Sequence, residues 1–183
     1  MWIKLISSAI LPVLITVVWA RSAMGQAVPT PESVLGHKPG DDFYLANYDE
    51  SCGYFRKLAA SSNRIKLYSV GKTTRGLDWE IALISSPQNL ALLDKYKEIA
   101  RRLALGRGLS DEDARALARE GKAIVHLDGG LHSTEVAGAQ HTIQLAYKLV
   151  ATEGDPEIDS ILNNVILMLW PTLNPDGQNE VVA

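Results

Sequence analysis

The sequence predicts an α/β fold: a mixed sheet with an early antiparallel hairpin and parallel central strands flanked by helices. Three observations carry this prediction. Segments 64–70 and 77–85 alternate apolar and polar residues around a turn bracketed by Gly71 and Gly76, the pattern of a hairpin. Segments 122–127 and 165–170 are short apolar runs, the second unbroken from Val165 to Trp170, as in strands buried on both faces. Between them lies a helical segment, 135–150, of the kind that connects two parallel strands.

Composition sets the outer limits. The chain has 183 residues, 46% hydrophobic and 21% charged, which suits about one folded domain and excludes disordered or collagen-like classes. Eighteen basic against 21 acidic residues give a net charge of −3, a poor match for gripping phosphate backbones, so no nucleic-acid partner is expected. The single cysteine, Cys52, forms no internal disulfide and excludes cysteine-based zinc fingers.

The first 25 residues are predicted to lie outside the fold. Lys4 precedes an apolar run from Leu5 to Ala20, and Ala23 and Gly25 are small residues two apart. A basic start, an apolar core and a small-x-small end make a secretory signal cleaved after Gly25. The run contains Pro12 and is shorter than the roughly 20 residues a spanning helix needs. The mature chain is thus expected to be secreted or periplasmic, without a stable membrane anchor. Cleavage removes Lys4 and Arg21 and no acid, so the net charge of −3 becomes −5.

Residues 26–40 hold Pro29, Pro31 and Pro39 and are expected to form an extended leader; the catalytic-type domain would then occupy 41–183. Tyr48, Cys52, Phe55, Leu58 and Ala59 recur at helical spacing, predicting a helix over 47–60. Cys52 is expected to be a small buried residue there. Pro87 is placed to open one helix running to Leu105. Ser110 with Asp113 is close to a capping box and predicts a helix to Glu120, ended by Gly121. A further short helix is expected over 156–162.

Two motifs carry chemistry. The first is Asp128-Gly129-Gly130-Leu131-His132-Ser133-Thr134-Glu135, between a predicted strand and a predicted helix, where α/β sheets place ligands. His132 and Glu135 are zinc-donor types, and a spacing of three lets both face one point. Taken alone, the spacing is weak and reads more simply as a solvated histidine and a first-turn glutamate favoured by the helix dipole; the loop context after a strand strengthens the metal reading. The second motif is Pro171-Thr172-Leu173-Asn174-Pro175-Asp176-Gly177. Alone it is a tight turn. Together the motifs follow two strands expected to be parallel neighbours, so both loops should meet at one sheet edge.

His-Ser-Thr-Glu in a Gly-rich loop, followed by a buried strand and Asn-Pro-Asp-Gly, resembles the zinc carboxypeptidases of the carboxypeptidase A type, in particular long secreted bacterial members. The hairpin turn from Val70 to Leu77 is similar to that family's early hairpin. The resemblance spans residues 41–183. It implies a carboxypeptidase-like fold, zinc as cofactor, His132 and Glu135 as two of three zinc ligands, and the C-terminus of a peptide or protein as substrate. It also implies a third ligand histidine, a catalytic glutamate and substrate-binding arginines beyond Asn-Pro-Asp-Gly, where nothing in this sequence matches. No catalytic residue is therefore assigned. The chain is expected to be the amino-terminal part of such a domain, incomplete at its C-terminus, with Val181-Val182-Ala183 beginning a further element.

The remaining candidates have simpler roles. His126 is expected to be a core or hydrogen-bonded strand residue. His141 falls about 240° around the helix from Glu135, and His37 lies in the leader. Position 66 is lysine, so Gly71-Lys72-Thr73 is not a phosphate loop, and Ser133 lacks a nucleophile-elbow context. Two alternatives stay open: an amide hydrolase of the related deacylase branch, and a non-catalytic fragment or binding module that keeps the fold.

Overall fold

The computed structural model describes residues 27–183. The predicted secretory segment lies outside the described residues, as does Gln26 of the predicted leader. The rest of that leader is not extended throughout. Helix α1 (Pro31–Leu35) forms because the Thr30 side chain accepts from the Ser33 N–H at 3.2 Å and Pro31 occupies the first turn. Gly36, at φ +79°, ends it. Helix α2 (Tyr48–Ser61) starts at a full capping box: Asn47 accepts from the Glu50 N–H, and the Glu50 carboxylate accepts from the Asn47 N–H, each at 2.9 Å. Its inner face buries Tyr48, Cys52, Tyr54, Phe55 and Leu58. Burial pushes the Cys52 thiol up to about 12.

Strands β1 (Ile65–Lys72) and β2 (Asp78–Ile84) form the expected antiparallel hairpin, with Ile65 opposite Ile84 and Tyr68 opposite Ile81. The single helix expected from Pro87 to Leu105 is instead two, α3 (Pro87–Ala91) and α4 (Leu93–Leu105), broken at Leu92 (φ −113°, ψ 22°). The two segments answer to different neighbours. The Asn89 amide of α3 lies buried, within hydrogen-bond reach of Ser85 Oγ (3.0 Å) and the carbonyls of Leu162 (3.0 Å) and Asn163 (3.1 Å). Tyr96 and Ile99 of α4 pack with Ile166 instead. Helix α5 (Asp111–Glu120) is capped by Ser110 and stops at Gly121, as expected.

Strand β3 (Ala123–Leu127), helix α6 (Val136–Ala151), helix α7 (Pro156–Asn164) and strand β4 (Val165–Leu169) complete the crossover. The sheet order is β1-β2-β4-β3, with β2 antiparallel and β3 parallel to β4. Alternation along β4 sends Leu167 and Leu169 into the main core with α2 and α6, and Ile166 into a smaller cluster with α4. Strand β4 is thus apolar throughout because it is covered on both faces.

Strand β3 departs from the expectation of burial. Ala123 to His126 are exposed, Ile124 by 42%; among the described residues β3 is an edge strand whose main contact is β4. His126 is accordingly no core residue: its side chain is half-exposed, with Nε2 3.6 Å from Asp128 Oδ2. The Asn-Pro-Asp-Gly segment is not a plain turn either. Asn174 caps helix α8 (Pro175–Val182), which also takes up Val181 and Val182.

Two outcomes follow from this packing. Asn89→Ala removes the buried amide that ties α3 to the end of α7 and is expected to cost about 1–2 kcal/mol, read as a lower urea midpoint at unchanged m-value. Native Cys52 should stay inert to a thiol reagent at pH 8 and react at once on unfolding, since its thiolate is scarce and its sulfur covered.

Candidate metal centre

The loop between β3 and α6 is held by backbone packed on backbone. A Cβ at Gly129 would lie 2.5 Å from the Gly138 carbonyl oxygen, and one at Gly138 would lie 3.0 Å from the Gly130 nitrogen. Gly130 has φ +68°, and a Cβ there would lie 2.6 Å from Thr172 Oγ1, so both its backbone angle and its surroundings call for glycine. The segment after β4 grips the same loop. The Leu173 N–H donates to the Gly129 carbonyl at 2.9 Å, and the Trp170 N–H donates to Leu127 at 3.1 Å. The fully buried Thr172 hydroxyl lies 3.3 Å from the Gly129 carbonyl oxygen. Thr142 of α6 closes the bracket, its hydroxyl donating toward the Pro171 carbonyl at 2.7 Å.

His132 and Glu135 emerge from this bracket together. The Glu135 N–H donates to the His132 carbonyl at 3.0 Å, which closes one turn and brings the two side chains to one side. His132 Nδ1 then lies 2.8 Å from Glu135 Oε1, and the His132 backbone N–H donates to Oε2 at 3.0 Å. The imidazole and then that N–H hold the Glu135 carboxyl below the usual carboxylate range. Both side chains are exposed, by 72% and 55%, so an incoming ion or substrate group reaches them without displacing other side chains.

The expected loop arrangement is present. Asn174 Nδ2 donates to the Leu131 carbonyl at 3.3 Å, so the two motifs meet at one edge of the sheet. His141 is exposed, and His37 stacks on Tyr44 with ring centroids 4.3 Å apart; neither joins the pair. One imidazole nitrogen and one carboxylate oxygen are zinc-donor types, and here they lie within hydrogen-bond distance of each other. They are two donors where a catalytic site takes three, and among the described residues no group of three or more His, Cys, Asp or Glu side chains converges.

Sequence reasoning missed three residues here. Thr172 is legible only as part of a turn motif and Gly138 carries no signal at all; their roles exist only once β4 lies beside β3. Asp176 has the signature of a turn former. Its carboxylate instead accepts from Thr73 Oγ1 at 2.7 Å and from the Arg75 N–H at 3.2 Å, and the Arg75 guanidinium pairs with Glu180. The β1–β2 turn is thereby tied to α8.

A family model described as zinc carboxypeptidase matches residues 52–181. Carboxypeptidase Z of Rattus norvegicus is 31% identical over 99 residues, 49% of this chain and 15% of that protein. Carboxypeptidase SOL1 of Arabidopsis thaliana is 27% identical over 161 residues, 86% of this chain and 26% of that protein. The chain therefore spans about a quarter or less of these curated relatives. Among solved structures, a carboxypeptidase A from Helicoverpa armigera shares the fold, with TM-score 0.52 and 18% identity over 80% of this chain and 31% of the other.

The glycine bracket makes a direct test possible. Gly129→Ala sets a methyl group against backbone that no rotamer change can move, and is expected to destabilise the protein by about 1–3 kcal/mol. Gly53→Ala, in α2 with nothing within 4 Å of the added carbon, should be neutral or stabilising by up to about 1 kcal/mol. Thermal unfolding of the two variants side by side reads the difference.

Proposed function

The chain belongs to the zinc carboxypeptidase family, and from that premise we propose that it carries the metal-holding part of a metallocarboxypeptidase site. In this reading His132 and Glu135 are zinc ligands, and the substrate is the C-terminal end of a peptide or protein. The observation that carries the proposal is the 2.8 Å convergence of His132 Nδ1 and Glu135 Oε1 at the C-terminal end of a parallel strand. When bound there, zinc supplies a Lewis acid for the scissile carbonyl and lowers the pKa of a bound water.

The chain's own residues supply the placement. The His132 backbone N–H restrains one Glu135 oxygen and leaves the other directed at the imidazole. Gly129 and Gly130, seated against α6 and Thr172, hold the loop close to the sheet, which keeps both donors at one depth. The neighbouring Asn-Pro-Asp-Gly segment favours the peptidase branch over the deacylase branch. A second reading, a metal-binding module without catalysis, is favoured by one observation: only two donors converge among the described residues. We further propose export of the chain, with cleavage after Gly25; N-terminal sequencing of the mature protein tests this.

One experiment bears on both readings. The chain is expected to bind Zn²⁺ loosely, to lose it readily to a chelator, and to leave blocked dipeptides uncleaved. His132→Ala should weaken zinc by more than about tenfold, since even substitutions outside the ligand shell commonly cost that much. Zinc-dependent cleavage that disappears in His132→Ala would establish that the chain is catalytic by itself. Zinc bound equally well by wild type and His132→Ala would remove His132 as a ligand.

A further inference from the structure

We propose that Asn174 is a positioning residue for the His132–Glu135 pair, its side chain joining the first turn of α8 to the loop that carries both donors. The inference rests on the zinc reading above for its consequence and on geometry for its existence. The Asn174 carboxamide is used at both ends. Oδ1 accepts from the Gly177 N–H at 2.9 Å, which caps α8, and Nδ2 donates to the carbonyl of Leu131, the residue before His132, at 3.3 Å. Gly177 touches the loop on the other side of His132. A Cβ at Gly177 would lie 2.8 Å from Ser133 Cβ and 2.6 Å from Asn174 Nδ2. The first turn of α8 therefore flanks His132 through Leu131 and Ser133.

That turn is itself fixed from outside. The Asp176 carboxylate accepts from Thr73 Oγ1 and from the Arg75 N–H on the β1–β2 turn, at 2.7 and 3.2 Å. The four residues of the motif thus divide the work among them. Asn174 bridges, Pro175 presets the first helical turn, Asp176 anchors to the hairpin, and Gly177 admits Ser133. Aspartate would cap α8 equally well but has no donor for Leu131 and would set a carboxylate against that carbonyl. Outer-shell bonds of this kind orient metal ligands, and their loss commonly weakens metal binding 10- to 100-fold.

Asn174→Asp in the full chain isolates the bridge, with His132→Ala as the ligand control. The readouts are Zn²⁺ affinity by competition with a chromophoric chelator, amide hydrogen exchange over residues 131–135 without metal, and melting temperature. Asn174→Asp is expected to bind Zn²⁺ about tenfold more weakly or worse, although its added negative charge would by itself attract the cation. Exchange over 131–135 should quicken while the melting temperature holds, because the cap is kept. Gly177→Ala should shift both loop readouts in the same direction and serves as the test if Asn174→Asp does not fold. Unchanged zinc affinity and unchanged loop exchange in Asn174→Asp, with zinc lost in His132→Ala, would overturn the positioning role and leave the zinc reading standing. Zinc retained in His132→Ala would sink the zinc reading instead, and metal-free exchange over 131–135 would then decide the positioning role alone.

Discussion

The contact between Gly129 and Gly138 is the constraint on which the site depends. Two stretches of main chain, the exit of β3 and the first turn of α6, approach so closely that a single Cβ at Gly129 would meet the Gly138 carbonyl at 2.5 Å. Only glycine permits such an approach. Because α6 begins so near the sheet, the loop before it is short and tightly turned, and His132 and Glu135 have one side on which to project. A looser start to α6 would let the loop swing, and two donors three residues apart would no longer hold one geometry.

Buried side-chain amides fix the helices that flank this loop. Gln140 of α6 clasps Ala46 in both directions, accepting from its N–H at 2.9 Å and donating to its carbonyl at 3.0 Å. Gln178 of α8 donates to the same carbonyl at 2.7 Å. The backbone at the entrance to α2 thus receives both helices that bear on the site. Both glutamines are buried, and although Gln178 Oε1 has no partner of its own among the described residues, the bonds to Ala46 fix where α6 and α8 start relative to α2. With the tie from Asp176 to the β1–β2 turn, the site region is braced by chain segments far away in sequence.

Strand β4 links this bracing to the core. Its alternation divides Leu167 and Leu169 from Ile166, so one strand closes the large cluster against α2 and α6 and the small one against α4. It also positions Trp170 to Leu173, which grip the loop together with α6. The residues that shape the loop are therefore consequences of strand pairing, and the exposed donors sit above buried Gly129, Ala139 and Thr172.

Local chemistry alone determined a great deal. Alternation in 64–70 and 77–85 identified the hairpin, the Ser110 cap and Gly121 bounded α5, and the apolar run of β4 with a helical crossover placed two parallel strands side by side. His132 and Glu135 were legible because their spacing and loop context are features of adjacent residues. What remained hidden depended on partners distant along the chain. The Leu92 break reflects Asn89 reaching Leu162 and Asn163 while α4 follows Ile166. The exposure of β3 depends on which strands neighbour it, and a five-residue apolar run is the same at a sheet's centre or edge. Asn174 and Asp176 showed turn propensity, but their bonds to Leu131, Thr73 and Arg75 span 43 to 103 positions. Propensity and spacing act over a few residues, whereas close approach, burial and long-range hydrogen bonds are decided only when the sheet brings those segments together.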